Sequence, residues 1–266
     1  LSGISDSSPL FDFRFSMPAK RRIMPGFLLT RRPPENYNKN RDAPTGMLRE
    51  RNEMTMLYHE FQGLELSALG MGAMRLPVID GDDARVDENA AKEMVAYAIE
   101  HGANYFDTAW GYHNGQSELA LGRALAAYPR DSFYLADKFP GYDLSNMDKV
   151  EEIFEAQLEK CGVDYFDCYL FHNVCELNID AYLDRSHRIY AYLTEQKKNG
   201  RIRHLGFSAH GSCEAIRRFL DAYGDAMEFA QIQLNYLDWD FQGAKDKVEL
   251  LTAHGLPVWV MEPLRG

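Results

Sequence analysis

The sequence predicts an α/β protein folded as a (β/α)8 TIM barrel, and three observations predict it. Short apolar runs alternate with helix-period segments. Seven such runs recur at intervals of about 26 to 37 residues, the length of a βα barrel unit. Three successive runs end in a polar residue: Ala103 to Phe106 reaches Asp107, Phe133 to Ala136 reaches Asp137 and Lys138, and Tyr165 to Phe171 reaches His172. In a parallel barrel all strand exits lie on one rim, where active sites of that fold are built. At 266 residues and 45% hydrophobic content, the chain is long enough to bury one barrel core.

Each element has a local reason. LYHEFQGLELSALG reads as a hairpin turning at Gly63 and feeding a first barrel strand near Ala68 to Gly72. Asp87 caps a helix carrying Ala91, Met94, Val95, Ala98 and Ile99 at helical spacing, and His101-Gly102 stops it. The Asp107 strand follows, then a helix from Ser117 with Gly122 placed for packing, and a third helix opening at Ser145 or Asn146 and closing at Cys161-Gly162. Helices over Ile189 to Lys198, Cys213 to Tyr223 and about Lys245 to His254 alternate with strands over His204 to Ser208, Phe229 to Leu234 and Val258 to Met261.

Charge divides the chain. Residues 1–53 hold ten Lys/Arg against six Asp/Glu, a net +4, which leaves the remainder at −15. The leader lacks sustained periodicity and reads as a basic, disordered segment, with the barrel domain spanning 54–266 and starting near Met54 or Met56. A net charge of −11 and a pI near 5.2 argue against nonspecific nucleic-acid binding or attraction to anionic lipid. No apolar run approaches the roughly 18 residues of a membrane span. Cys161, Cys168, Cys175 and Cys213 form no CxxC pair and no metal or cluster spacing, so they read as reduced and structural, as in a cytoplasmic protein.

Competing motifs fail. Gly70-Met71-Gly72 begins like a dinucleotide fingerprint, but Arg75 holds the third glycine position; Gly206-Phe207-Ser208-Ala209 begins like a nucleophile elbow, but His210 closes it. Asp107, Lys138 and His172, with Tyr112 in the loop beside the first, remain as the candidate constellation.

FDTAWGYHNGQSE, strand-end Lys138 and His172, GFSAH at 206–210, QIQLNYLD at 231–238 and VMEPLRG at 260–266 together resemble an aldo-keto reductase over Leu57 to Gly266. The closing EPLRG looks like the branch that often carries a C-terminal ferredoxin-like iron-sulfur domain, whose cysteine cluster is absent here. An iron-sulfur cluster or partner domain would enter only through such a missing segment. The resemblance implies hydride transfer between NADP or NAD and a small-molecule carbonyl or alcohol. Tyr112 would then be the proton donor, Lys138 its pKa tuner, Asp107 the orienter of Lys138, and His172 the group that positions and polarises the carbonyl. A lysine ammonium about 4 Å from a phenol, at an effective dielectric near 20, favours phenolate by roughly 4 kcal/mol before desolvation. That is expected to bring Tyr112, an acid of pKa near 10 when free, into working range.

The same resemblance assigns cofactor contacts to Gly72, Met74, Asp107, Ser208, Gln231, Met261, Pro263 and Leu264. Two positions depart from many relatives: Ala209 stands where asparagine is frequent, and Met261 where an aromatic ring often stacks on nicotinamide. With seven strands, the barrel reads as truncated after the seventh. Its first and last strands would then face a gap, and only the start of the loop that meets the cofactor's adenosine half would be present. A noncatalytic barrel, acting as a cofactor-sensing or interaction subunit or an inactive truncated product, is the rival expectation.

Overall fold

The structure is a computed structural model and describes residues 56–264. The basic leader expected over 1–53 lies outside the described residues, as do residues 265 and 266 of the loop after the last strand.

Strands β1 (Tyr58–Phe61) and β2 (Leu64–Ser67) form the expected antiparallel hairpin, with Phe61 opposite Leu64. Gln62 and Gly63 take positive φ of 48° and 85°, the conformation of a two-residue hairpin turn. A curled parallel sheet follows, in the order β3 (Met71–Gly72), β4 (Tyr105–Asp107), β5 (Tyr134–Phe139), β6 (Phe166–Val174), β7 (Ile202–Ala209), β8 (Phe229–Gln233) and β9 (Val258–Met261). Each strand pairs with its sequence neighbours, the (β/α)8 order, and among the described residues β3 and β9 each have one partner. The Arg75 guanidinium meets the Glu262 carboxylate at 2.8 Å, joining the loops that follow these two strands.

Helices α1 (Glu88–Glu100), α2 (Ser117–Leu125), α3 (Val150–Cys161), α4 (Ile179–Leu183), α5 (Ile189–Lys198), α6 (Cys213–Tyr223), α7 (Asp238–Phe241) and α8 (Ala244–Ala253) complete the chain. The Asp87 carboxylate caps α1 by accepting from the Asn89 and Ala90 amides. The short α4 and α7 were not legible in the sequence.

Two expectations are corrected. The first barrel strand shrinks to Met71–Gly72, because the segment before it is tied to the hairpin: the Ala68 amide donates to the Leu57 carbonyl at 2.7 Å, and Ser67 Oγ to Leu69 O at 2.8 Å. The third helix starts at Val150 rather than at Ser145 or Asn146. Asp143 accepts from the Ser145 amide and winds Leu144–Asn146 into a separate 3-10 turn. Among the described residues, no helix is long and apolar enough to cross a membrane.

The core has two layers. Between sheet and helices lie Phe106, Leu135, Phe154, Tyr169, Phe171, Phe207 and Phe219, with their neighbours. Inside the curl, Ala136, Cys168, Leu170 and Phe229 pack with Phe61 and Leu64 of the hairpin, which closes the end of the barrel opposite the strand exits. Trp259 stacks on Phe229 at 4.0 Å and meets Tyr105 edge-on at 5.1 Å, so β9 and β4 touch across the interior. Burying Phe61 and Leu64 contributes about 1.5–3 kcal/mol each, enough to hold a four-residue-strand hairpin that is marginal alone.

Gly122 brings α2 against the end of α3: a Cβ there would lie 2.6 Å from the Cys161 carbonyl oxygen. Gly122→Ala is expected to cost about 1–3 kcal/mol through this overpacking, read as a lower urea midpoint with an unchanged slope. A variant as stable as the parent would refute the contact.

Candidate active site

Strand alternation places the site residues. In β5, Tyr134, Ala136 and Lys138 face the barrel interior, whereas Leu135, Asp137 and Phe139 face the helices. Lys138 is therefore not a frayed strand end but an interior side chain, 2% exposed, near the top of the apolar floor. Its ammonium donates to Asp107 Oδ1 at 2.5 Å and to the Thr108 carbonyl at 2.7 Å, and it lies 3.5 Å from the Tyr112 hydroxyl. Burial works against the charge on Lys138, and Asp107 more than restores it, so the net effect is a lysine held above its ordinary pKa.

Tyr112 sits on a tight turn in which His113 and Asn114 have φ of 52° and 51°. Buried His113 fixes the turn: its Nε2 accepts the Leu76 amide at 2.8 Å, and its Nδ1 faces the Asp83 carboxylate at 2.9 Å. The phenol is raised above its ordinary pKa. Burial is the largest cause, Lys138 pulls the other way, and Asp107 adds to the rise. The expectation that Lys138 brings Tyr112 down into a neutral working range is thus overturned. Desolvation outweighs the ammonium, and the Asp107 carboxylate, 2.5 Å from that ammonium, adds to the rise.

His172 faces Tyr112 edge-on at 5.9 Å between ring centroids. Burial, then Lys138 and His210, push its pKa well down, so it is a neutral imidazole. Its Nδ1 has no hydrogen-bond partner among the described residues. Gln231 of β8 reaches across the barrel, donating from Nε2 to Asp107 Oδ2 at 3.3 Å, and the Tyr105 hydroxyl lies 3.5 Å from the same oxygen.

The structure brings Asp107, Tyr112, Lys138, His172 and Gln231 together. Ser208 lies inward on β7, 1% exposed, and its Oγ has no hydrogen-bond partner among the described residues. Gly72 pairs with Asp107 in the ladder, and a Cβ there would meet nothing within 4 Å, leaving room for a ligand to approach the backbone. Met261 ends β9 half-buried, Met74 is half exposed, and Pro263 and Leu264 are exposed on the rim. Unpaired buried polar atoms at His172 and Ser208, and open backbone at Gly72, are the kind of lining that a planar ring with polar substituents would use.

One site residue escaped sequence reading. Tyr142, in the loop after β5, meets His172 edge-on at 5.3 Å, and a Cβ at Gly111 would fall 2.1 Å from its hydroxyl. Burial and then Asp143 push the Tyr142 pKa up to about 12. Its only sequence trace is an aromatic residue following Pro140-Gly141, which reads as a turn. Among the described residues, no group of three or more His, Cys, Asp or Glu is placed to hold a metal.

A buried carboxylate, lysine and imidazole and a half-buried tyrosine gather at the strand exits of a curled parallel sheet. Residues 68–266 match the aldo/keto reductase family model, and the chain belongs to that family. It is 27% identical over 221 residues to the NADH-specific methylglyoxal reductase of Escherichia coli, covering 76% of this chain and 64% of that protein. It is 30% identical over 177 residues to an aldo-keto reductase of Mycolicibacterium smegmatis, covering 66% and 57%. The chain thus spans less than two thirds of these relatives. Among solved structures, an aldo-keto reductase of Bacillus halodurans in its holo form superposes with a TM-score of 0.62 at 25% identity, covering 79% of this chain and 67% of that one. One from Klebsiella pneumoniae, solved with NADPH, shares the fold at 0.60 and 20% identity, covering 80% and 69%.

Because His172 is neutral when folded and has an ordinary pKa near 6.5 when unfolded, the unfolded chain binds an extra proton below about pH 6.5. Stability should therefore fall on acidification from that point and be flat with respect to this group above it. Replacing His172 with Gln should remove up to about 1.4 kcal/mol per pH unit from that slope, read by urea unfolding between pH 5 and 7. His210, also depressed by burial and then by Lys247, adds a slope of the same sign. An unaltered slope in the variant would mean that His172 is protonated in the fold.

Proposed function

We propose that this chain is an NAD(P)-dependent oxidoreductase that reduces a small-molecule carbonyl to an alcohol, with Tyr112 as proton donor. The observation that carries the reading is the Asp107–Lys138–Tyr112 chain: a buried ammonium fixed at 2.5 Å by a carboxylate and 3.5 Å from a phenol. Membership in the aldo/keto reductase family, a relative named as an NADH-specific methylglyoxal reductase and a fold neighbour solved with NADPH support it. When bound, the nicotinamide cofactor, NADP or NAD, supplies the hydride.

The chain's own groups do the rest. Neutral His172 positions the carbonyl oxygen beside the Tyr112 hydroxyl. An alkoxide is a far stronger base than a phenolate, so a phenol with a raised pKa still yields its proton as charge develops on that oxygen. Lys138 stabilises the phenolate left behind, and Asp107 keeps the ammonium in place. Ser208 and Gln231 would hold the nicotinamide side of the cofactor, and Gly72, Met74, Met261, Pro263 and Leu264 would contact the remainder. In the reverse direction Tyr112 must first lose its proton, so alcohol oxidation should rise with pH well beyond neutrality, whereas reduction should not need high pH.

Oxidation of NADH and NADPH with a panel of aldehydes and quinones tests the activity, and Tyr112→Phe should lower kcat by roughly 10²- to 10⁴-fold with little change in cofactor affinity. Turnover retained by Tyr112→Phe would dismiss the proton donor, and no turnover by the parent chain would favour the noncatalytic barrel. Lys138→Met should slow the reaction and move the pH limb of alcohol oxidation upward, because the one group that lowers the Tyr112 pKa is then gone. A limb that stays put would remove Lys138 from that role.

A further inference from the structure

The β6–β7 pairing breaks its register at the site. Phe171 lies opposite Phe207 and Val174 opposite Ala209, so His172 and Asn173 together oppose the single residue Ser208. Phe171 and Val174 both belong to the layer that packs against the helices, as do Phe207 and Ala209. In a regular strand, residues three apart face opposite sides. The extra residue is a β-bulge, and it turns two consecutive side chains, His172 and Asn173, toward the barrel interior where Ser208 points.

The bulge's backbone is satisfied from elsewhere. The Tyr182 hydroxyl donates to the His172 carbonyl at 2.6 Å, and Asn178 Nδ2 donates to the Asn173 carbonyl at 3.0 Å. The side chains are not. Asn173 Oδ1, Ser208 Oγ and His172 Nδ1 are all buried and have no hydrogen-bond partner among the described residues. Three buried polar atoms on adjacent strands without a protein partner call for a partner from outside the chain. An amide oxygen beside a hydroxyl presents an acceptor next to a donor, the complement of a primary carboxamide, which offers an N–H and a carbonyl oxygen.

We propose that Asn173 is a cofactor-binding residue: its side-chain amide accepts an N–H of the nicotinamide carboxamide while Ser208 Oγ donates to the carboxamide oxygen. This rests on the oxidoreductase reading above. Holding the carboxamide at two points fixes which face of the ring looks at Tyr112 and His172.

The test uses the full chain and three probes titrated by tryptophan fluorescence: reduced nicotinamide dinucleotide, its 3-acetylpyridine analogue, in which methyl replaces the carboxamide NH2, and ADP-ribose, which lacks the ring. Asn173→Ala should weaken the first about five- to tenfold, the worth of one neutral hydrogen bond, and leave the other two within about twofold. Asn173→Asp, which keeps an acceptor in place, should restore discrimination between the dinucleotide and its acetylpyridine analogue. Deuteride transfer from the two C4-labelled cofactors should lose facial selectivity in Asn173→Ala and keep it in the parent. Equal weakening of all three probes, or of none, would overturn the role of Asn173 while leaving the oxidoreductase reading intact. A parent chain that binds neither dinucleotide nor ADP-ribose would overturn both.

Discussion

The site depends on one buried ion pair. Taking an ammonium and a carboxylate out of water costs several kcal/mol each even after relaxation. The Lys138–Asp107 contact of 2.5 Å offsets that cost only because the remaining valences are filled: Thr108 O accepts from Lys138, and Gln231 and Tyr105 approach the second Asp107 oxygen. These partners come from β4, the loop after it, β5 and β8, on different sides of the barrel. The curl of the sheet and the position of Tyr112 are therefore set by the same network, and a strand displaced from it would leave a charge unpaired.

The other face of β5 carries a second polar cluster that serves the first. Asp137, one residue before Lys138, points toward the helices, where its Oδ1 accepts from the Lys138 amide at 2.8 Å and from Gln157 Nε2 at 2.8 Å. Gln157 also donates to buried Glu118 at 3.0 Å, and Glu118 pairs with Lys160 at 2.8 Å. Burial, and then the nearby Glu118, raise the Asp137 pKa well above its ordinary value, on the side of the strand opposite the held ammonium. The outer cluster thus pins the backbone at the residue whose side chain must be placed on the inner side.

Much of this was legible in the sequence. Short apolar runs and the helix cap at Asp87 locate the elements, and Asp107, Lys138 and His172 announce the rim because polar residues end runs that are otherwise apolar. What was not legible has physical causes. The bulge at His172 and Asn173 depends on pairing with β7, and simple alternation along β6 would turn Asn173 toward the helices. Tyr142 belongs to the site only because Gly111, distant in sequence, lacks a side chain where its hydroxyl passes. The acidity of Tyr112 was misjudged because a Coulomb estimate can be made from residue types alone, whereas the opposing desolvation depends on how deeply the fold buries the ring.

The hairpin at the far end of the barrel completes the logic of the site. Electrostatic effects at Tyr112 are large only where water is kept away, and the interior below Lys138 is filled by Ala136, Cys168, Leu170 and Phe229 over Phe61, Leu64 and Trp259. Burial is the largest single influence both on the depressed His172 and on the raised Tyr112. One arrangement therefore sets two protonation states in the same sense, each group neutral: an imidazole that can orient a carbonyl without adding charge, and a phenol that keeps its proton until a stronger base forms beside it.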